Sequence, residues 1–344
     1  MTPTIVFDAQ GHVVAGLGSP GGSRIILYVI KTLIALLAYF SIANPNFMNL
    51  SNLVGIMQAT AVNGVLAIAC TFVIVSAGID LSVGTLMTFT AVITGVVLTY
   101  WGMPMWMGII AALVTGAACG AVSGTIIAKF KIPPFIATLG MMLILKGLSL
   151  IISGVKPIYF NDTPNYTSLS IDSLVSKVFP AVPIPNGALI LFIVALIAAI
   201  ILNKSILGRY IYALGSNEEA ARLSGVNVDF WKISTYALCG MICGIAGLLI
   251  SSRLNSAQPA LGQGYELEAI AAVVIVGTSR SGGRGTILGT LIGAFIISVL
   301  NNGLRILGVE EQWQIVVTGF IIIVAVYVDA RLRKRGLELR QISH

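Results

Sequence analysis

Residues 53–84 read LVGIMQATAVNGVLAIACTFVIVSAGIDLSVG, and this stretch decides the fold class. Its first part, residues 53–75, carries no charged side chain, and Gln58 and Asn63 are its only amide side chains. A run of about 20 predominantly apolar residues can cross a hydrocarbon core roughly 30 Å thick. Two glycines and the acid Asp80 follow directly. The stretch therefore predicts a membrane-spanning helix that ends in a break carrying a carboxyl group.

The rest of the chain has the same character. Of its 344 residues, 57% are hydrophobic and only 10% are charged, and the mean hydropathy is +0.96. A soluble globular domain carries about 25% charged residues, so most of this surface must face lipid. Apolar runs predict ten transmembrane helices, at residues 25–42, 53–75, 83–100, 106–128, 135–152, 188–202, 233–251, 267–278, 287–304 and 314–328. The fold class is therefore an all-α membrane protein.

Basic residues predict the orientation, because cytoplasmic loops of membrane proteins carry an excess of Lys and Arg. An inside N-terminus and ten crossings place fifteen of the twenty Lys and Arg on the cytoplasmic side. Both termini are then cytoplasmic, with residues 1–23 and 331–344 as tails and residues 24–330 as the transmembrane domain. Basic cytoplasmic loops explain the net charge of +7, so we predict no nucleic-acid partner.

Two short strings indicate an internal repeat. GIDL at 78–81 follows the second span, and GYEL at 264–267 follows the seventh. Each places an acid before an apolar run, and the predicted topology puts the first at the cytoplasmic face and the second at the outer face. Spans 2–5 and 7–10 would then form repeats of opposite topology, which are common in transporters.

Small residues recur in several spans, for example Gly116, Gly120 and Gly124 in the fourth and Gly240 and Gly244 in the seventh. Glycines at this spacing let helix backbones approach closely in lipid. We interpret them as packing residues of a tight bundle.

The sequence lacks the usual means of catalysis, metal binding or ion coupling. The histidines, His12 and His344, lie in the tails, so no metal site is expected. The glycine-rich string at 277–286 lacks the Gly-Lys-Ser/Thr ending of a phosphate-binding loop, and a cytoplasmic turn is the better interpretation. No acid lies well inside a span, as coupling to protons would require. A transporter of this type must take its energy from another subunit.

One hydrophilic stretch between spans six and seven, residues 207–228, reads LGRYIYALGSNEEAARLSGVNV. Asn217 is a favourable N-cap, Glu218 and Glu219 suit the positive end of a helix, and Gly225 suits its end. These signals predict a helix of about two turns outside the membrane that presents Ala220, Ala221 and Leu223. It is either a surface amphipathic turn or a helix that a partner protein grips.

This stretch resembles the coupling helix of ABC importer permeases in the branched-chain amino acid and sugar group. From about residue 44 to 329 the chain resembles the ribose-type sugar permease family. The matching strings are SAGIDLSVG at 76–84, PFIATL at 134–139, GRYIYALG at 208–215, GYELEAIAAVV at 264–274, GTLIGA at 289–294 and LNNGL at 300–304.

The resemblance implies a type II-like ABC importer permease in the bacterial inner membrane. Such a permease works as a homodimer, with an ABC ATPase that binds ATP and Mg and a periplasmic sugar-binding protein that delivers substrate. The resemblance also implies the coupling-helix residues: Asn217, Glu218, Glu219, Ala220, Ala221, Arg222, Leu223 and Gly225. Transport of a monosaccharide, with ribose as the leading candidate, is the function it implies.

Five polar side chains and one aromatic side chain within the spans are candidates for lining the substrate path. They are Gln58, Asn63, Thr138, Asn301 and Asn302, with the aromatic Phe135. Each can equally form a structural hydrogen bond between helices. The acids at the helix breaks are Asp80, Glu266 and Glu268. Glu266 and Glu268 could pair with a binding protein or could cap the short eighth helix.

Alternative functions remain at this point. A secondary, ion-coupled sugar carrier would need a titratable site within the membrane, and an ungated channel would not need a coupling helix. A membrane scaffold would bind partners without moving solute, and a branched-chain amino acid permease is a related ABC protein. The proline-rich external segment, 154–187, is either a passive spacer or a docking surface for an extracytoplasmic partner.

Overall fold

The computed structural model describes residues 4–7, 13–17, 23–179, 183–278, 282–310, 312–320 and 323–324. Its α-helices within these ranges are α1 (Ser23–Ala43), α2 (Leu50–Val75), α3 (Val83–Gly95), α4 (Met105–Lys129), α5 (Pro134–Ser153), α6 (Leu174–Val178), α7 (Asn186–Lys204), α8 (Ile206–Ser216), α9 (Glu218–Leu223), α10 (Val228–Leu254), α11 (Tyr265–Ile275) and α12 (Ile287–Ile306). A π-helical turn, Val96–Tyr100, extends α3, and residues 312–320 are helical as well.

Seven of the described helices are long and apolar enough to cross a membrane: α2, α3 with its π-helical turn, α4, α5, α7, α10 and α12. They coincide with seven of the predicted spans, although α10 is longer at both ends than predicted. The other three predicted positions hold α1, the short α11 and the helix at 312–320. The end of the tenth predicted span and the tail 331–344 lie outside the described residues.

Helix α2 forms the centre of the bundle. Every residue from 60 to 75 is buried. A helix that is apolar on all sides can face either lipid or protein. Here it faces protein, because α10, α12, α11 and α7 surround it. The side chains at the break after α2 are therefore held inside the protein.

Helices α4 and α10 pack against each other without intervening side chains. A Cβ atom on Gly116 would collide with the carbonyl oxygen of Gly240, and one on Gly120 would collide with that of Tyr236. Gly244 lies in the same way against the carbonyl oxygen of Ala112. The pairing is antiparallel, since positions rise along one helix as they fall along the other. The predicted role of these glycines in close helix packing is confirmed.

The described parts of the N-terminal 23 residues include a hairpin that was not predicted. Strand β1 (Thr4–Phe7) pairs antiparallel with β2 (Val13–Leu17). Both strands are rich in β-branched residues, a local preference that an interpretation based on overall polarity missed.

The external segment is folded onto the bundle. Strand β3 (Ile158–Tyr159) pairs with β4 (Ser256–Ala257), which directly follows α10. The Tyr166 hydroxyl lies 2.6 Å from Ser251 Oγ of α10, and its ring stacks on Phe160. Despite five prolines, the segment contains α6 and a 3-10 turn, Thr167–Leu169. These contacts argue against a loose spacer.

Candidate functional site

The two helix breaks meet inside the bundle. Asp80, after α2, and Glu266, at the start of α11, are only 3% and 7% exposed. A Cβ atom on Gly84 would collide with the carbonyl oxygen of Gly262 and lie 2.7 Å from Glu266 Oε2. The prediction that these acids lie at opposite membrane faces is therefore wrong. Glycine at both breaks lets the two chain segments approach to backbone contact, which draws them into the interior.

Both acids bind the backbone of their own break. Asp80 Oδ1 accepts hydrogen bonds from the Ser82 amide (2.8 Å) and the Ser82 hydroxyl (2.6 Å), at the start of α3. Glu266 accepts from the amide of Gly264, at 3.1 and 3.0 Å. Gly264 has a φ of +100°, in the left-handed region that favours glycine. Each acid therefore stabilises the turn that starts a helix, and for Glu266 this agrees with the predicted capping role.

A polar cluster joins three elements, and we define it by Asn63 of α2, Glu268 of α11 and Asn301 of α12. Asn63 Nδ2 donates to Glu268 Oε2 at 2.6 Å, and Asn301 Nδ2 donates to Glu268 Oε1 at 3.1 Å. Thr318 Oγ1 adds a hydrogen bond of 3.3 Å to Asn301 Oδ1. Glu268 thus neither caps α11 nor faces outward. Its two oxygens hold α2 and α12 together.

The polar cluster retains unused hydrogen-bonding capacity. Asn63 is 9% exposed, and its Oδ1 is buried without a hydrogen-bond partner among the described residues. A buried acceptor without a partner is costly, because it has lost its water. A hydroxyl group on a passing solute could donate to this oxygen.

The other candidate path residues lie elsewhere. Asn302 Nδ2 donates to Asn52 Oδ1 (2.9 Å) and ties α12 to the start of α2. On α5, Phe135 is exposed on the outside of the bundle, and the Thr138 hydroxyl donates to the Pro134 carbonyl of its own helix at 2.9 Å. Gln58 is half-buried on α2, one turn or more from Asn63. The structure thus brings together Asn63 and Asn301, and it separates them from α5.

The helix α9 is present where the local signals predicted it. Asn217 Oδ1 accepts a hydrogen bond from the Ala220 amide at 2.9 Å, as an N-cap should. The Gly225 amide donates to the Arg222 carbonyl, and Gly225 has a φ of +82°, which ends the helix. The helix has six residues, a little shorter than predicted.

One expectation for α9 is wrong. Ala221 does not face outward, because it is buried in a cluster with Leu214 of α8 and Val228 of α10. Leu223, by contrast, is 84% exposed, and Glu219, Ala220 and Arg222 are exposed as well. The first turn of α9 packs against α10, so that Ala221, four residues after the Asn217 cap, points inward. The outward face of α9 is therefore centred on Leu223 and Ala220.

Ion pairs hold α9 and a neighbouring loop to the start of α10. Glu218 Oε2 lies 2.7 Å from Lys232 Nζ, and Glu218 Oε1 lies 3.4 Å from Arg222. Lys131, in the loop after α4, lies 2.9 Å from Asp229. Most of these groups are partly exposed, so the pairs fix geometry more than they add stability.

Sequence reasoning missed the central role of Glu268 and the contribution of Thr318. The usable signal was an acid one helical turn inside an apolar helix, since such a group needs a polar partner in the interior. Among the described residues there is no group of His, Cys, Asp and Glu that could hold a metal ion.

Comparisons with known proteins agree with this architecture. Residues 52–326 match a family described as branched-chain amino acid transport system / permease component. The chain is 45% identical over 302 residues to the ribose import permease protein RbsC of Escherichia coli K12, which covers 87% of this chain and 92% of that protein.

Further relatives are similar over comparable lengths. Identity is 41% over 300 residues to the RbsC protein of Bacillus subtilis strain 168 (87% of this chain, 91% of that protein). It is 38% over 317 residues to the fructose import permease protein FrcC of Rhizobium meliloti (92% and 87%). No solved structure matches the chain. The family match and these identities, together with seven membrane-crossing helices, place the chain in the branched-chain amino acid transport system permease family, as a multi-pass transport permease.

Proposed function

We propose that the chain is the transmembrane permease of an ATP-driven ABC importer for a monosaccharide, with ribose as the substrate. The observation that carries the proposal is the 45% identity to a ribose import permease along 92% of its length. A relative named as a fructose permease and relatives named as xylose permeases support the wider substrate class.

The topology we propose has ten crossings with both termini in the cytoplasm of a bacterial cell, in the inner membrane. Seven long apolar helices support it, together with α1, α11 and the helix at 312–320 at the other three predicted positions. The paired acidic breaks Asp80 and Glu266, each supporting the start of a helix, support an inverted repeat of spans 2–5 and 7–10.

In this proposal, the ATPase acts on the permease through α9. An ABC ATPase with bound ATP and Mg receives the outward face around Leu223 in a groove, and a second copy of the permease completes the path. A large exposed apolar side chain on a capped helix of six residues suits insertion into a cleft of a partner. A periplasmic sugar-binding protein supplies substrate at the face formed by the external segment.

The polar cluster is the proposed point where sugar passes between α2 and α12. Ribose is neutral and rich in hydroxyl groups, each of which donates and accepts. The cluster offers a carboxylate and two amides, and the Oδ1 of one of these amides, that of Asn63, has no hydrogen-bond partner among the described residues. These groups can exchange hydrogen bonds with sugar hydroxyls in place of water.

The test is reconstitution of the permease with its ATPase and binding protein in liposomes, with Leu223→Arg as the decisive variant. We expect ATP-dependent ribose uptake from the wild type. We expect the arginine to weaken ATPase binding by about tenfold or more, equivalent to about 1.4 kcal/mol, because a charge replaces an apolar anchor. Leu174→Arg on α6 is the control for ATPase binding, since Leu174 is also an exposed leucine on a short helix. It is not a control for uptake, because α6 belongs to the external segment at which the binding protein is proposed to dock.

Three outcomes would contradict the proposal. Ribose flux through the permease alone, down its gradient, would indicate a carrier or a channel. ATP-driven uptake of leucine but not of ribose would indicate an amino acid permease. Equal ATPase binding by the wild type and by Leu223→Arg would remove α9 from the docking surface.

A further inference from the structure

The segment that carries α9 is attached to the bundle at a second place, where three backbones meet. A Cβ atom on Gly215, near the end of α8, would collide with the carbonyl oxygen of Val75, the last residue of α2. The amide of Gly283, in the connection before α12, donates to the same Val75 oxygen at 2.8 Å. Gly282 in turn lies against the backbone of Gly215. No side chain separates α8, α2 and the connection to α12.

A tyrosine fixes the same contact one turn earlier on α8. The Tyr212 hydroxyl donates to the Gly285 carbonyl at 2.7 Å. A tyrosine hydroxyl is protonated at neutral pH even at its usual pKa of about 10. Burial raises the pKa of Tyr212 further, to about 12. Gly285 directly precedes Thr286, whose side chain caps α12 by accepting from the Gly289 amide. Tyr212 therefore holds the start of α12.

Residues 282–286, the described part of the connection directly before α12, include two glycines in an unusual backbone conformation. Gly282 and Gly283 have φ values of +80° and +72°, a conformation that other residues rarely adopt. We name Tyr212, Gly215, Val75, Gly283 and Gly285 the glycine joint. Its members lie on α8, at the end of α2 and just before the start of α12.

The two helices that meet the glycine joint are those that Glu268 links in the polar cluster. Asn63 belongs to α2 and Asn301 to α12, and both donate to the Glu268 carboxylate. Helices are stiff along their axes, and close-packed backbone contacts leave little slack. A displacement of α8 at the glycine joint therefore shifts α2 and α12 together.

We propose that the glycine joint is the route by which movement of α9 reaches the polar cluster, with Tyr212 as a positioning residue for transport. This inference rests on the proposed function, in which an ATPase displaces α9. Helix α8 lies between α9 and the joint and passes the displacement on. The Tyr212 hydrogen bond makes α12 follow α8, so that the path opens when the ATPase moves.

The test compares Tyr212→Phe with wild type in the assembled importer, in liposomes. The variant removes one hydroxyl and keeps the ring. We expect unchanged ATPase binding and continued ATP hydrolysis, but about fivefold less ribose moved per ATP. Loss of one hydrogen bond changes an equilibrium constant by about this factor. Tyr210→Phe is the matched control, since the Tyr210 ring lies against Trp231 in a tilted arrangement and Tyr210 is not part of the joint.

A second variant tests the backbone contact. Gly215→Ala pushes α8 away from Val75, and we expect the same loss of ribose moved per ATP. Gly140→Ala is its control, because a Cβ there meets no atom within 4 Å. If Gly215→Ala does not assemble, Tyr212→Phe alone decides.

The outcomes separate the inference from the function on which it rests. If the wild type shows no ATP-driven ribose uptake, the proposed function is refuted, and the proposed role of the glycine joint is refuted with it. Wild type that transports, with a Tyr212→Phe variant of equal ribose-to-ATP ratio, refutes the joint alone. A Tyr212→Phe variant that loses thermal stability but keeps the ratio also refutes it, because the joint is then only structural.

Discussion

Glu268 is an acid placed among apolar helices, where an ionised carboxylate without partners would be very unfavourable. Two amides, Asn63 and Asn301, donate to its two oxygens and make the position tolerable. Hydrogen bonds to a charged group contribute about 1.5–3 kcal/mol each, more than those between neutral groups. This residue therefore combines a structural duty, holding α2 to α12, with the proposed contact to sugar.

We predict that Glu268→Gln lowers both stability and uptake. The glutamine has one acceptor oxygen, so one of the two amides loses its partner, and unfolding should become easier by about 1–3 kcal/mol. Thermal unfolding in detergent measures the first effect and ribose uptake at several concentrations the second. Asn302→Leu, which removes the tie to Asn52 outside the cluster, is the control. If both variants lose uptake only in proportion to stability, the cluster is not part of the path.

At the scale of elements, α4 and α10 meet along a seam that has no side chains between the two backbones. Gly116 and Gly120 face Gly240 and Tyr236 backbone to backbone. In lipid the hydrophobic effect does not drive helices together, so such close van der Waals packing must do so. The pair α4–α10 should therefore behave as one rigid unit.

We predict that Gly240→Val separates this pair. The added side chain collides with the Gly116 carbonyl, and overpacking of this kind costs about 1–3 kcal/mol. Gly140→Val, at an exposed position of α5 with open space around it, should change stability by less than about 0.5 kcal/mol. Thermal unfolding of the two purified variants checks this. Equal melting temperatures would show that the seam tolerates side chains.

At the scale of the whole molecule, the proposed topology assigns opposite sides of the membrane to the external segment and to α9. Within the described part of the chain, α7 is the one helix between them that is long and apolar enough to cross. We predict that Tyr159→Cys reacts with a membrane-impermeant maleimide from outside intact cells, and Leu223→Cys only in inside-out vesicles. Both positions are exposed, and Cys70, Cys239 and Cys243 are buried. Cys119 is only partly buried, so it is replaced by serine in both variants and in the parent protein to keep the background low. Labelling of both positions from one side would overturn the orientation.

The sequence predicted those features that depend on neighbouring residues. Spans follow from uninterrupted apolar runs, and the Asn217 cap and the Gly225 stop are decided within a few positions of α9. The glycine spacing in α4 and α10 also predicted close helix packing, but other features that depend on distant contacts were missed or wrong. Ala221 is buried because Leu214 and Val228 cover it, and the convergence of Asp80 and Glu266 requires the close approach of Gly84 to Gly262. No local pattern reports such contacts.

The hydrogen bond between Asn63 and Glu268 joins residues 205 positions apart, which has a consequence for biosynthesis. At about 5–20 residues per second, a ribosome needs about 10–40 s to make the chain between them. During that interval α2 enters the membrane before Glu268, the hydrogen-bond acceptor of the Asn63 side chain, has been synthesised. The nascent chain must shelter Asn63 in the insertion machinery or against other early helices, and assembly of the core must wait until α11 has been made.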